Sequence, residues 1–211
     1  MAKIVYAAAL GEHGQLENIY DISQLSLQSS TSTQVDLADN TGDLISFEGT
    51  ALQSDGTALT AGQVAEFRFI SASADTLINV TGSWAANDLS DALLDRGIRG
   101  LLSTAYAGND RFIGSENGDI IYGGTGRDRL AGRQGEDWFL FGHGDGKDVV
   151  TDFDAKGGEG KQDFIRQFSD DFTIRKSGDD TVIDFGDGDT LTLLDVKRSL
   201  VSSEDFKLFD L

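Results

Sequence analysis

Aspartate recurs at every ninth residue along one stretch of the chain, at Asp110, Asp119, Asp128 and Asp137. Set on a nine-residue frame, the stretch reads AYAGNDRFI, GSENGDIIY, GGTGRDRLA, GRQGEDWFL. Aspartate holds the sixth place, Phe112, Ile121, Leu130 and Phe139 the eighth, and Gly108, Asn117, Gly126 and Gly135 the fourth. Stacked like charges repel, and glycine loses the most backbone freedom on folding. Something must offset both costs. Glycine lets a turn take positive φ and crowd its carbonyls together; at Asn117 the frame expects the same conformation, which asparagine tolerates better than most residues. Stacked turns then bring carboxylates and carbonyls to common points, which suits a hard divalent cation. Calcium accepts about six to eight oxygens in irregular geometry, whereas magnesium demands a tighter octahedron. The spacing therefore predicts that the aspartates are calcium ligands.

These ligands need a scaffold of the same period. Each nonapeptide reads as half a coil of a parallel β-helix, with a turn over places one to six and a short strand over places seven to nine. The eighth-place residue points inward and stacks on its counterparts, so each coil depends on its neighbours. After Phe141 and Gly142, HGDGKDVVT resumes the frame with Gly144, Gly146, Asp148 and Val150, two residues late, as a looser last turn. A single Gly/Asp-rich turn reads as loop. Four copies in phase, each with an apolar residue two places after its aspartate, do not. With so thin a core, the segment is expected to be unfolded without calcium, its folding free energy being largely metal-binding free energy.

Composition narrows the chemistry further. The 211 residues carry 36 acidic and 17 basic side chains, a formal net charge of −19, and the acid is spread along the whole chain. Such a chain repels nucleic acid and anionic membrane surfaces. It has no cysteine and only two histidines, His13 and His143, so disulfides and thiolate zinc sites are excluded. No apolar run approaches the ~18 residues of a membrane span. The N-terminus lacks the apolar run and cleavage site of a secretory signal.

Before the repeat, KIVYAAA, TQVDLA, LISFEGT, EFRFISAS and TLINVTG are short apolar or alternating runs between Gly, Asp, Asn and Ser, and predict strands. Phe67, Phe69 and Ser71 share one parity, which Val64 does not. WAANDLSDALLDRG predicts a helix near residues 86–97, capped by Asn87 or Asp88 and ended by Gly97 or Gly100. Leu89, Ala92 and Leu93 form its apolar face, with Asp91 and Asp95 opposite. Beyond Thr151, DFIRQF, FTIRKSG, DTVIDFG and DTLTLLDV predict four further strands, with Asp187-Gly188 as a hairpin turn. The expected fold is mainly β: a β-rich N-terminal domain with one helix (1–105), a parallel β-roll (106–151), and antiparallel strands in a C-terminal β cap (152–211).

Over Tyr106 to Thr151 these residues resemble the RTX (repeat-in-toxin) family of haemolysin-type calcium-binding proteins. DWFLFGHGDGKDVVTDFD resembles the end of the repeat block in serralysin-type C-terminal domains, and DDTVIDFGDGDTLTLLDVKRSLVSSEDFKLF resembles their terminal strands and export signal. The resemblance implies calcium held between alternate turns. Tyr106, Gly108 and Asp110 would share an ion with Gly123, Thr125 and Asp128. Ser115, Asn117 and Asp119 would share one with Gly132, Gln134 and Asp137. Gly124, Gly126 and Asp128 would share one with His143, Asp145 and Asp148. Only the aspartates would use side chains, the other contacts being carbonyls, and Asp128 would bridge two sites. The resemblance also implies a secreted, extracellular protein, exported unfolded by a type I secretion machinery that reads the C-terminus. Cytosolic calcium would be too low to fill sites of the ~10⁻⁴–10⁻³ M class, so the chain would stay threadable inside and fold outside.

The N-terminal half carries no G-x-S-x-G, H-E-x-x-H or phosphate-binding glycine loop. His13 reads as a turn residue, Glu12, Glu17 and Asp21 as solvated acids, Trp84 as a core anchor against the helix, and Trp138 as facing outward or toward the C-terminal cap. The expectation is a non-enzymatic domain that makes contacts outside the cell, with polysaccharide or a cell-surface protein. The alternatives are an extracellular enzyme acting on glycan or peptide, and a domain that only caps the roll.

Overall fold

Alternation of apolar and polar residues builds the first half of the chain into a one-sided sheet. The computed structural model describes residues 3–6, 25–73, 76–156, 162–167 and 171–208. The chain divides into two compact units, Met1–Tyr106 and Ala107–Leu211. In the first unit, strands β1 (Lys3–Tyr6), β2 (Ser26–Ser30), β3 (Gln34–Ala38), β4 (Leu44–Ser54), β5 (Leu59–Ile70) and β6 (Thr76–Ala85) form an antiparallel sheet in the order β1-β6-β5-β4-β3-β2. Val35, Ile45, Phe47, Phe67, Phe69 and Val80 are buried. Gln34, Asp36, Glu48, Glu66 and Arg68 alternate with them on the opposite face, as a two-residue period requires. The parity break at Val64 has a structural cause. Against β4 the pairing shifts by one residue between Val64 and Glu66, so Ala65 is extra there and Val64 joins Phe67 in the core, while β6 carries its own extra residue between Thr81 and Trp84. Strand β2, polar and exposed except at Leu27, has no counterpart among the strands expected from sequence.

Helix α1 (Ala86–Ala105) packs on β5 and β6 with Leu89, Ala92, Leu93 and Leu101 buried, while Asp91 and Asp95 are exposed. It departs from the sequence expectation at both ends. Ala85 is the N-cap, with extended backbone and no side-chain cap. Asn87 instead donates to Asp88 Oδ1 at 3.0 Å. The helix also runs through Gly97 and Gly100 to Ala105. Glycine costs about 1 kcal/mol in a helix interior, and burial of Leu101 and Ala105 offsets that. Trp84 packs its ring 5.6 Å from Phe67. His13, Glu12, Glu17 and Asp21, and the stretch Ala7–Ala9 expected to continue the first strand, lie outside the described residues.

In the second unit the nine-residue period becomes two facing sets of parallel strands. One set runs β7 (Arg111–Ile113), β9 (Arg129–Ala131), β11 (Lys147–Val150) and β15 (Asp189–Leu193). The other runs β8 (Ile120–Tyr122), β10 (Trp138–Phe141), β12 (Phe164–Gln167) and β16 (Phe206–Leu208). Phe112 pairs with Leu130 and Ile121 with Phe139, so two nonapeptides make one coil. Phe112, Ile121, Leu130, Phe139, Val150, Ile165 and Leu191 are completely buried, with Phe141 and Leu193 as second buried residues in β10 and β15. The coil containing β11 is longer by the two inserted residues, Leu130 pairing with Val150.

The C-terminal strands divide between two roles. Strands β13 (Thr173–Ser177) and β14 (Asp180–Gly186) are antiparallel, and the β14–β15 hairpin turns at Asp187 and Gly188 with φ of 53° and 98°. In contrast, β12 and β16 are parallel and extend the roll, where sequence alone suggested only antiparallel pairing. Trp138 faces outward, half-buried, with its ring 5.0 Å from Phe164 and Arg166 stacked 5.6 Å above it.

Candidate metal centre

The turns of the roll are held by their sixth-place aspartates. Asp110 N–H donates to Asp128 Oδ1 at 2.6 Å, and Asp128 N–H donates to Asp148 Oδ1 at 2.9 Å. On the other edge, Asp119 N–H donates to Asp137 Oδ1 at 2.8 Å, and Asp137 N–H to Asp163 Oδ1 at 3.0 Å. Backbone bonds run beside them, Arg129 N–H to Asp110 O at 2.9 Å and Trp138 N–H to Asp119 O at 2.8 Å. Asp128, Asp137, Asp148 and Asp163 thus each spend one oxygen on the backbone of the preceding coil, and Asp119 spends Oδ2 on its own turn, accepting from Ser115 N–H at 2.6 Å. The second oxygen is the informative one. Asp119 Oδ1, Asp128 Oδ2, Asp137 Oδ2 and Asp148 Oδ2 are buried with no hydrogen-bond partner among the described residues. An ionised oxygen cannot be left so without a large desolvation cost.

The glycines sit where these oxygens converge. A Cβ on Gly123 would stand 2.8 Å from Asp128 Oδ2 and 3.0 Å from Asp148 Oδ2. A Cβ on Gly114 would stand 2.8 Å from Asp119 Oδ2, and one on Gly132 would strike Asp137 Oδ2. At the fourth place, Gly126 and Gly135 have φ of 140° and 121°, and a side chain on either would run into the backbone of Gly108 or Asn117. Asn117 does not take positive φ, contrary to the sequence expectation. The Ser115 hydroxyl accepts from Asn117 N–H at 3.1 Å and shapes that turn instead.

Burial governs the charge state of this ladder. It pushes Asp128, Asp137 and Asp163 up to about 7, and Asp148 up to about 8, with neighbouring carboxylates adding to the rise. Asp119 and Asp145 are raised in the same direction, again chiefly by burial. A cation among the free oxygens would offset this cost by favouring the ionised carboxylates. Among the described residues no group of three acidic or histidine side chains is close enough to hold an ion alone. A site here must draw on turn carbonyls as well, and calcium's oxygen preference matches such a donor set.

The residues expected from sequence fall as follows. Gly108, Asp110, Gly123, Thr125 and Asp128 stack in successive coils, with Gly108 N–H donating to Thr125 O at 2.9 Å. Tyr106 ends the first unit, buried, with its N–H on Leu102 O at 2.8 Å. Ser115, Asn117, Asp119, Gly132 and Asp137 gather on the other edge, while the Gln134 side chain turns outward to Glu116 at 2.5 Å. Gly126 N–H donates to Asp145 O at 2.9 Å, Gly124 has φ of 78°, and His143 is exposed.

Several carboxylates extend the ladder beyond the expected set. Asp163 accepts from Asp137 N–H and, at 2.8 Å, from Asp154 N–H. Asp189 accepts from Gly144 N–H at 2.7 Å and Gly146 N–H at 3.0 Å. Asp152 accepts from Gly132 and Arg133 N–H, both at 3.0 Å. Asp145, already a member of the expected set, accepts with its carboxylate from Gly142 N–H at 2.7 Å and from the Tyr122 hydroxyl at 2.9 Å. Asp163 and Asp189 did carry a signal, since each precedes a buried apolar residue, Ile165 or Leu191, by two places. Variable loop lengths hid it.

No helix among the described residues is long and apolar enough to cross a membrane. Among curated proteins, no relative matches the chain. Residues 104–139 match the family model of the RTX calcium-binding nonapeptide repeat in four copies, so the roll is built on calcium-binding repeats of the RTX type.

Proposed function

We propose that this is a secreted RTX-type protein whose roll folds when calcium binds after export through a type I secretion machinery. The observation that carries the reading is the set of four buried aspartate oxygens without a hydrogen-bond partner among the described residues, three of which, on Asp128, Asp137 and Asp148, lie beside glycines with no room for a side chain. Asp110, Asp128 and Asp148 on one edge, and Asp119 and Asp137 on the other, would hold calcium together with the turn carbonyls of Gly108, Gly123, Thr125, Ser115, Asn117 and Gly132. Bound calcium supplies positive charge that removes carboxylate repulsion and takes up oxygens that no donor among the described residues reaches. The acidic, cysteine-free chain suits passage in an unfolded state and folding in calcium-rich surroundings.

The β-rich first unit is then a contact module, without catalysis, for extracellular polysaccharide or a cell-surface protein. Export is tested by expressing the full chain and a variant lacking residues 152–211 beside a type I exporter. The full chain is expected in the medium and the truncated one in the cells; equal export of both overturns the export reading. A panel of glycan and peptide substrates tests the absence of catalysis, and turnover that survives repurification overturns it.

A further inference from the structure

The solvent face of the first unit's sheet carries a recess that calcium binding does not use. It has a volume of about 400 Å³, within the range of small-ligand sites. Its lining includes the small residues Gly49 and Ala65 between Gln34, Glu48, Thr50 and Glu66. Two coincident irregularities produce it. The β4–β5 register shifts between Glu48 and Gly49, opposite the extra residue Ala65 in β5. At Gly49 the strands approach so closely that a Cβ would strike the Gln63 carbonyl. Bulges of this kind re-aim side chains and are enriched beside binding and catalytic sites.

The polar groups around the recess have a definite polarity. Arg68 lies between the two glutamates, pairing with Glu48 Oε1 and, through Nε at 3.3 Å, with Glu66 Oε1. Asn79 also donates to Glu66 Oε1, at 3.2 Å. Gln34 spends its amide N–H groups on Asp36 at 3.0 and 3.1 Å. These contacts occupy the amides of Gln34 and Asn79 and Nη2 of Arg68, whose Nε reaches Glu66 only as an ion pair, and they leave carboxylate acceptors at the recess. Glu48 Oε2 and Glu66 Oε2 take no bond among the described residues, and both side chains are partly solvent-exposed. The glutamates and Arg68 together keep one net negative charge, which disfavours an anionic ligand.

We infer that this recess binds an uncharged, hydroxyl-rich sugar unit, whose hydroxyls donate to the free oxygens of Glu48 and Glu66 while its ring rests over Gly49 and Ala65. The inference rests on the first unit's reading as a contact module, and not on calcium binding by the roll.

The test uses the full-length chain in millimolar calcium on immobilised neutral hexose and N-acetylhexosamine oligosaccharides, with uronic-acid polymers alongside. Binding is expected to neutral glycans and not to uronates. Glu48→Gln and Glu66→Gln should each weaken it about ten- to a hundredfold, the scale of a lost hydrogen bond to a charged group. Gln34→Ala, which leaves the Arg68 pairs intact, should weaken it less, and far-UV circular dichroism checks that each variant is folded. No binding to any neutral glycan, binding to uronates alone, or unchanged binding by both folded glutamate variants overturns the inference. Calcium-induced folding, read on the same samples, separates the two readings. If it persists without glycan binding, only the recess assignment fails; if glycan binds but calcium changes nothing, only the roll's calcium reading fails.

Discussion

Asp128 stands at the centre of one edge of the roll. It accepts from Asp110 N–H, donates its own N–H to Asp148, and keeps Oδ2 buried and unbonded. Asp128→Asn keeps the shape but removes the charge, and should raise the calcium concentration at half-folding by more than about tenfold, since even supporting residues of metal sites carry ten- to a hundredfold effects. A calcium titration followed by circular dichroism checks this. Gly132→Ala should be as damaging for a different reason, because its methyl group would take the space of Asp137 Oδ2. Isothermal calorimetry should show at least one fewer calcium bound in that variant. At this scale the sequence was most legible where one residue type repeats at one place, as the four aspartates do. It was least legible at Asp163 and Asp189, whose carboxylates bond backbone N–H groups of neighbouring turns across connections of varying length.

At the scale of the element, the three-residue strands of the roll are too short to persist alone and gain their stability by stacking. Phe139, fully buried and 6.0 Å from the Phe153 ring, is a central member of that stack. Phe139→Ala should cost about 3–5 kcal/mol in the calcium-loaded state, measured by denaturant unfolding. The carboxylate ladder also gives the metal-free roll a definite pH dependence. Asp128, Asp137, Asp163 and Asp148 titrate at about 7 to 8 when folded, against roughly 3.9 for an unfolded aspartate. The folded state therefore holds these protons more tightly. Stability from this source is full below about pH 4 and is lost as pH rises through about 7 to 8. Without calcium, the roll's β signal should fall as pH rises across that window, and apparent calcium affinity should rise as the protons leave. A pH series of circular dichroism spectra in chelator, repeated with calcium, checks both. The nine-residue frame located β7 to β10 because strand and ligand share one period. It could not locate β12 and β16 as parallel members of the roll, since the connections before them vary in length. Helix α1 ran past two glycines because burial of Leu101 and Ala105 outweighed their propensity.

The whole molecule joins two units with different sources of stability. The first has a conventional core of Phe47, Phe67, Phe69 and Val80 beneath α1, and alternation in the sequence made its main strands legible. The bulge at Ala65 was not legible as such, because Val64 merely broke the parity without saying how the sheet would absorb it. The second unit has a thin stack of apolar residues between ladders of raised carboxylates, whose repulsion the proposed calcium would offset. Calcium should therefore change one unit and spare the other. The direct test is far-UV circular dichroism of the full chain during a calcium titration from chelator at pH 7.5, with magnesium as control. The expected result is a β baseline from the first unit in chelator and a further cooperative gain of β signal with calcium but not with magnesium. A spectrum unchanged to millimolar calcium, or an equal response to magnesium, would contradict it.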